Sequence, residues 1–146
     1  MEKLPSSSRF SITVPINYED TDAGGIVYYG NYLSYMERAR NACLRQAGYP
    51  LGVLVEEFGV LFVVTDARLK YIQPGRLDDA LEITLGVKSI RGASIIFEQN
   101  VLRENTKLVE AEIKLAVLQS ETFRPKKLPS FLVNALSQWK IVENLS

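Results

Sequence analysis

Hydrophobic and polar positions change period twice along this chain. Phe10, Ile12, Val14 and Ile16 alternate with polar residues and Pro15, which is the two-residue period of a strand. The proline, having no N–H for a ladder, places that strand near a sheet edge. From Tyr32 the period is helical. Tyr32, Tyr35, Met36, Ala39, Ala42 and Cys43 share one face, and Glu37, Arg38, Arg40, Asn41 and Arg45 lie elsewhere. Asn31 or Gly30 starts this helix, and Gly48 followed by Pro50 stops it. At ~1.5 Å per residue it is about 25 Å long, enough to cross a sheet.

After a short connector with helical potential, Leu51 to Phe58, the period of two returns. Ala67, Leu69 and Tyr71 oppose Asp66, Arg68 and Lys70; Leu81, Ile83, Leu85 and Val87 oppose Glu82, Thr84 and Lys88. Ala111, Ile113, Leu115 and Val117 oppose Glu110, Glu112 and Lys114, while "SIIFEQNVL" is rich in strand formers but alternates less cleanly. The turn-forming stretches "QPGRLDD", "RGAS" and "ENTK" separate these runs. The order predicts an α+β fold, an antiparallel five-stranded sheet packed on one central helix. Pro125 and Pro129 lead into a short C-terminal segment with room for a last helical turn or two. No repeat or linker interrupts the 146 residues, so one domain is expected over 1–146 with its core at about 9–130.

Composition narrows the function. Seventeen basic residues balance seventeen acidic ones, so no global field draws in a polyanion and nucleic acid is not an expected partner. The opening "MEKLPSSSRF" has no long apolar run, so neither a leader nor a membrane span is expected. The single Cys43 fits a reducing cytoplasm and packing as a small apolar residue. The chain contains no histidine. That excludes Ser-His-Asp and Cys-His nucleophile systems, histidine-ligated zinc and His/Asp dehydratase chemistry. Any catalysis rests on carboxylates, tyrosines, lysines, hydroxyls or backbone dipoles.

The stretch "YEDTDAGGIVYYGNYLSYMERAR", Tyr18 to Arg40, is where such groups gather. Asp20 and Asp22 suit a turn whose side chains bond nearby amides. A pair of this kind also suits a divalent metal, but Mg²⁺ asks for further carboxylates or substrate phosphates, and no metal is expected. Gly24 and Gly25 allow a tight turn and close approach of a ligand. Tyr29 and Gly30 fall at the helix start, where the first amides have no intrahelical partner. Those amides and the positive end of the helix dipole can bind a carbonyl oxygen that gains negative charge. A carboxylate nearby completes a minimal acyl-transfer site without histidine.

This stretch resembles the signature of the 4-hydroxybenzoyl-CoA thioesterase family of hotdog-fold enzymes. It is most similar to the branch of acyl-CoA thioesterases associated with the Tol–Pal system. "RLKYIQPGRLDDALEI", "SIRGASIIFEQNV" and "RPKKLP" extend the likeness over roughly residues 10–130. The resemblance implies a hotdog fold and hydrolysis of acyl-CoA, with the CoA thioester as substrate and no cofactor. It identifies Asp22, after Thr21 and ahead of Gly25-Ile26-Val27, as the catalytic carboxylate, with Asp20 as a structural companion. It assigns the polarising backbone amide to Tyr29, at a place where the Tol–Pal branch usually carries histidine, and Gly30 adjoins it. It also implies a homodimer joined sheet edge to sheet edge, often paired into a tetramer, with active sites between subunits.

Four further expectations complete the reading. Tyr28 and Tyr32, with Tyr35, line an acyl or pantetheine channel or else belong to core or interface. Arg91, Lys126 and Lys127 meet the phosphates of CoA or remain solvated charges. Glu37 pairs with Arg40 or Arg38, or is solvated, with catalysis as its lesser role. The alternative from another class is a non-catalytic module binding acyl thioesters or an acyl carrier protein.

Overall fold

The computed structural model describes residues 9–141. The expectation about a leader rests largely on residues 1–8, outside the described residues; among those described, no helix is long and apolar enough to cross a membrane. Five strands form one antiparallel sheet: β1 (Phe10–Pro15), β2 (Val60–Tyr71), β3 (Ala80–Arg91), β4 (Ser94–Arg103) and β5 (Thr106–Gln119). Their order is β1-β3-β4-β5-β2, with β1 and β2 at the two edges. Helix α1 (Asn31–Gln46) lies on one face, α2 (Leu51–Phe58) leads into β2, and α3 (Ser130–Leu136) closes the far end. This is the predicted five-stranded sheet around one long helix.

The inward positions of β3 and β5 are those the alternation named. Leu81, Ile83, Leu85 and Val87 are buried on β3, with Ala111, Ile113, Leu115 and Val117 on β5. β4 alternates just as strictly: Ile95, Phe97, Gln99 and Val101 all face inward. Its pattern was blurred in the sequence because a polar residue, Gln99, occupies a core position.

Gln99 is there because Arg40 is there. Arg40 lies on the buried side of α1, 9% exposed, and not with the polar positions to which periodicity assigned it. Its Nη1 donates to Gln99 Oε1 at 3.0 Å, and Gln99 Nε2 donates to the Met36 carbonyl at 3.0 Å. A core glutamine is tolerable only when both ends of its amide are bonded, as here.

β2 has the expected alternation without the expected burial. Ala67 and Tyr71 stay exposed, as do Val63 and Val64, because β2 is an edge strand with a neighbour on one side alone among the described residues. A bulge between Val64 and Asp66 shifts its register against β5. At the opposite edge, β1 pairs only with β3 and ends at Pro15. Past Pro129, α3 and a following 3₁₀ turn bury Leu132, Leu136 and Trp139, with Trp139 edge-on to Phe10 at 5.5 Å.

Replacing Gln99 with leucine leaves the Arg40 guanidinium buried without its partner. We expect Gln99→Leu to lower stability by about 3–5 kcal/mol in urea unfolding, as for other broken buried charge contacts. A loss below about 1 kcal/mol would show that the bond holds little.

Candidate functional site

Residues 20–28 fold into a narrow hairpin. The Tyr28 N–H donates to the Asp20 carbonyl at 3.0 Å, and the Asp22 N–H donates to the Ile26 carbonyl at 3.0 Å. Gly24 and Gly25 form the tip with φ of 100° and 76°. Those angles lie in the left-handed region, where a side chain would be strained, so the turn requires glycine. Asp20 is used up by the hairpin itself. Its carboxylate accepts the Asn17 N–H at 2.8 Å, and its carbonyl also accepts from Asn31 Nδ2 at 2.8 Å. The Tyr35 hydroxyl lies buried beside it without completing a hydrogen bond. Burial first, and then the Asp20 carboxylate, push the Tyr35 phenol well above its usual pKa.

Asp22 differs from its companion. It is exposed, and among the described residues no side chain or amide bonds its carboxylate. On the returning arm, the chain runs through Tyr28 and Tyr29 into Gly30, which caps α1. The Asn31 N–H donates to the Tyr28 carbonyl and the Tyr32 N–H to the Tyr29 carbonyl, but among the described residues the N–H groups of Tyr29 and Gly30 have no acceptor. One hairpin therefore carries a free carboxylate and leads directly to two free amides at the positive end of a helix.

The loop between β2 and β3 holds this arrangement in place. Gly75 donates its N–H to the Tyr32 hydroxyl at 3.0 Å and accepts the Val27 N–H at its carbonyl at 2.8 Å. It joins helix and hairpin at one residue. A Cβ there would come within 3.1 Å of both Leu81 and Val27 and 3.3 Å of the Tyr32 hydroxyl. The Leu77 N–H reaches the Gly25 carbonyl at 3.0 Å, and Arg103 Nη1 anchors the loop through Asp79 at 2.8 Å. Beside the hairpin opens an apolar hollow of about 210 Å³ walled by Tyr29, Tyr32, Tyr71, Ile26 and Ile72. Burial raises the phenol pKa of both Tyr32 and Tyr71. No group of three or more potential metal ligands occurs among the described residues.

The family model described as "Thioesterase superfamily" matches residues 24–110, more than half of the chain. This chain belongs to the thioesterase superfamily. Asp22 stands two residues ahead of the matched span. An acyl-CoA thioester hydrolase, YbgC of Escherichia coli O6:H1, is 39% identical over 134 residues, covering 91% of this chain and 99% of its own. A probable thioesterase from Bartonella henselae shares 29% identity with a TM-score of 0.79, covering 83% of this chain and 99% of that one. A 4-hydroxybenzoyl-CoA thioesterase solved with its thioester superimposes with a TM-score of 0.82 at 20% identity, covering 88% and 99%. That likeness bears on the fold alone, which is the hotdog fold.

In this thioesterase the other residues singled out from sequence fall in three places. Tyr28 stacks on Tyr29 at 5.0 Å, and its ring sits where a Gly30 side chain would be, 2.7 Å from an added Cβ. Tyr32 is a core residue whose hydroxyl is already bonded. Lys126 caps the C-terminal end of α2, donating to the Phe58 carbonyl at 2.8 Å and Gln119 Oε1 at 3.1 Å. Arg91 and Lys127 are exposed, and their neighbours are joined where the Leu128 N–H reaches the Gly92 carbonyl at 3.2 Å. They stand at the far end of β3 from the hairpin, and a strand of 12 residues spans about 35–40 Å. Within one chain these cations are not brought to Asp22.

Glu37 forms no ion pair with Arg40 or Arg38 among the described residues; Arg38 instead lies over the Tyr35 ring at 5.7 Å. Cys43 is buried, and burial pushes its thiol up to about 12. Sequence reasoning missed Gly75 and Arg76. The backbone of Arg76 bridges to Ile26 of the hairpin, and among the described residues its guanidinium has no partner. The only signal was their position in the turn "QPGRLDD", which reads as punctuation until the fold folds it onto the hairpin.

Removing the Tyr32 hydroxyl leaves the Gly75 N–H buried without its acceptor. We expect Tyr32→Phe to cost about 1–3 kcal/mol in urea unfolding and to speed amide exchange at Gly75 and Val27. Unchanged exchange there would show that the bond does not hold the loop.

Proposed function

We propose that this protein hydrolyses acyl-CoA thioesters, with Asp22 as the reacting carboxylate and the Tyr29 and Gly30 N–H groups as the oxyanion donors. One observation carries the reading: an unbonded carboxylate stands on the hairpin that leads directly into two unbonded amides at a helix start. Carboxylates of this chain that serve structure are bonded, as Asp20 and Asp79 are.

The thioester carbonyl oxygen takes up negative charge as its carbon becomes tetrahedral, and the two amides meet that charge; one such donor is typically worth ~3 kcal/mol. Asp22 supplies the electron pair in one of two ways. It adds to the carbonyl carbon and expels CoA thiolate, leaving a mixed anhydride that water opens to the free acid and the original carboxylate. Or it takes a proton from a water that adds in its place. In both routes the C–S bond breaks with its electrons on sulfur. A thiol ionises near pH ~8.5, so the departing group needs little acid assistance, and a histidine-free site suffices. The 210 Å³ hollow beside Tyr29 exceeds the ~150 Å³ cavity that admits benzene, and takes the acyl group.

The same reading carries assembly. β2 presents an unpaired edge with Val63, Val64 and Tyr71 exposed, an arrangement that invites pairing with another strand. A second copy joined along β2 continues the sheet and supplies the far wall beside Asp22. Arg91 and Lys127 then reach the CoA phosphates from a neighbouring protomer, and two dimers form a tetramer. A small, charge-balanced thioesterase with a buried reduced cysteine suits the cytoplasm, and an acyl carrier protein and a link to the Tol–Pal system accompany the resemblance of its hairpin.

Asp22→Asn keeps the shape and removes the charge. CoA release is expected to fall by about 10²–10⁴-fold, while Glu37→Gln stays within a few-fold of the parent. Near-normal turnover by Asp22→Asn, or CoA binding without release over acyl chains from C2 to C18 and benzoyl thioesters, would remove the proposal. In light scattering the parent is expected at twice the chain mass or more, and Val63→Asp at the monomer mass with CoA release lost. A monomeric parent would remove the shared site.

A further inference from the structure

Among the described residues, the Tyr35 hydroxyl is one of two buried side-chain polar atoms without a hydrogen-bond partner. The residue is 2% exposed, and a buried hydroxyl left unbonded costs stability. Its ring is held in place. Tyr32 meets it edge-on at 6.0 Å, and the Arg38 guanidinium lies over its face at 5.7 Å. Beside the hydroxyl stands the Asp20 carboxylate, which raises the Tyr35 phenol pKa second only to burial. The hairpin takes one oxygen of that carboxylate: Oδ2 accepts the Asn17 N–H at 2.8 Å, and among the described residues Oδ1 has no donor. A donor short of an acceptor lies next to an acceptor short of a donor.

Tyr35 stands one turn along α1 from Asn31, and residues four apart on a helix are neighbours. Asn31 Nδ2 already holds the Asp20 carbonyl at 2.8 Å. One helix face therefore addresses both ends of Asp20, its carbonyl through Asn31 and its carboxylate through Tyr35. Asp20 is also the root of the hairpin, because its carbonyl accepts the Tyr28 N–H at 3.0 Å. Only Thr21 separates it from Asp22. Thr21 is extended, with φ −107° and ψ 158°, and is bridged to Val27 across the hairpin. The Asp22 N–H is bonded to the Ile26 carbonyl at 3.0 Å. A small movement of Asp20 toward α1 is therefore passed to Asp22 with little slack.

We propose that Tyr35 is a positioning residue of the thioester site: its hydroxyl donates to the Asp20 carboxylate as the hairpin settles on a bound thioester, and that bond sets Asp22 in register with the Tyr29 and Gly30 amides. The proposal rests on Asp22 as the reacting carboxylate. Tyr35 itself touches neither the substrate nor the reacting atoms. In the free protein the bond is open, so the hydroxyl adds nothing to the stability of the resting fold. Its contribution comes only with the thioester in place.

Tyr35→Phe removes the hydroxyl and keeps the ring. Its kcat for CoA release is expected to fall about 10–10²-fold with KM within about two-fold of the parent, while the midpoint of thermal unfolding stays level or rises. On an Asp20→Ala background the same change is expected to cost no more than about two-fold, since the partner is already gone. A ketone analogue, with a methylene between the carbonyl and the CoA sulfur, reads the bond without turnover. Its binding is expected to slow amide exchange at Tyr28 in the parent and not in Tyr35→Phe, which decides the case if Asp20→Ala is inactive. Unchanged kcat in Tyr35→Phe, or equal slowing of exchange in both proteins, would overturn the proposal. So would a fall in kcat matched by a lower unfolding midpoint, which would make the hydroxyl a structural bond, or a rise in KM in place of the fall in kcat. A full loss on the Asp20→Ala background would overturn it too. Asp22→Asn, assayed alongside, keeps the two levels apart. Turnover lost there but unchanged in Tyr35→Phe removes the positioning role alone; turnover kept there removes the reading on which it rests, and the role with it.

Discussion

Gly75 is the residue on which the site's geometry depends. A tyrosine hydroxyl carried into a core must be bonded, and Tyr32 on the first turn of α1 takes the Gly75 N–H. The carbonyl of the same residue takes the Val27 N–H from the hairpin. Helix start and hairpin are thereby locked to one point on the loop that enters β3. A side chain there would press on Leu81 and Val27 at 3.1 Å and on the Tyr32 hydroxyl at 3.3 Å. The free amides of Tyr29 and Gly30 follow an arm held by Gly75 through Val27, and the arm of Asp22 is tied to that one by the Asp22 N–H to the Ile26 carbonyl.

The polar groups of this thioesterase divide by whether the fold has already used them. Asp20, Asp79, Gln99, Tyr32 and Lys126 each have bonds that close a turn, a helix end or a core contact. Asp22 and the first amides of α1 are left over at one end of the helix.

The two edges of the sheet differ. β1 is short, ends in a proline and packs its first residue, Phe10, edge-on to Trp139. β2 is 12 residues long and carries exposed apolar side chains to the rim of the hollow at Tyr71. The open edge and the hairpin that carries Asp22 are therefore neighbours, joined through the Tyr29–Tyr71 contact at 6.1 Å. The proposed chemistry and the proposed association share one border of the molecule.

The sequence by itself determined the elements and their faces. A two-residue period on β3 and β5 and a helical period from Tyr32 leave one arrangement of sheet and helix, because apolar faces must meet. It also determined the hairpin: glycines at the tip and Asp22 just before it are local chemistry, written in adjacent residues. The tertiary structure decided what depended on distant partners. Gln99 and Arg40 each look like surface residues alone; they are core residues because they bond one another across 59 positions. Arg91 and Lys127 look like companions of Asp22, yet the length of β3 holds them apart. Periodicity reports which face a residue is on, whereas burial of a charge and reach to a site are properties of pairs, and only the folded chain brings the pairs together.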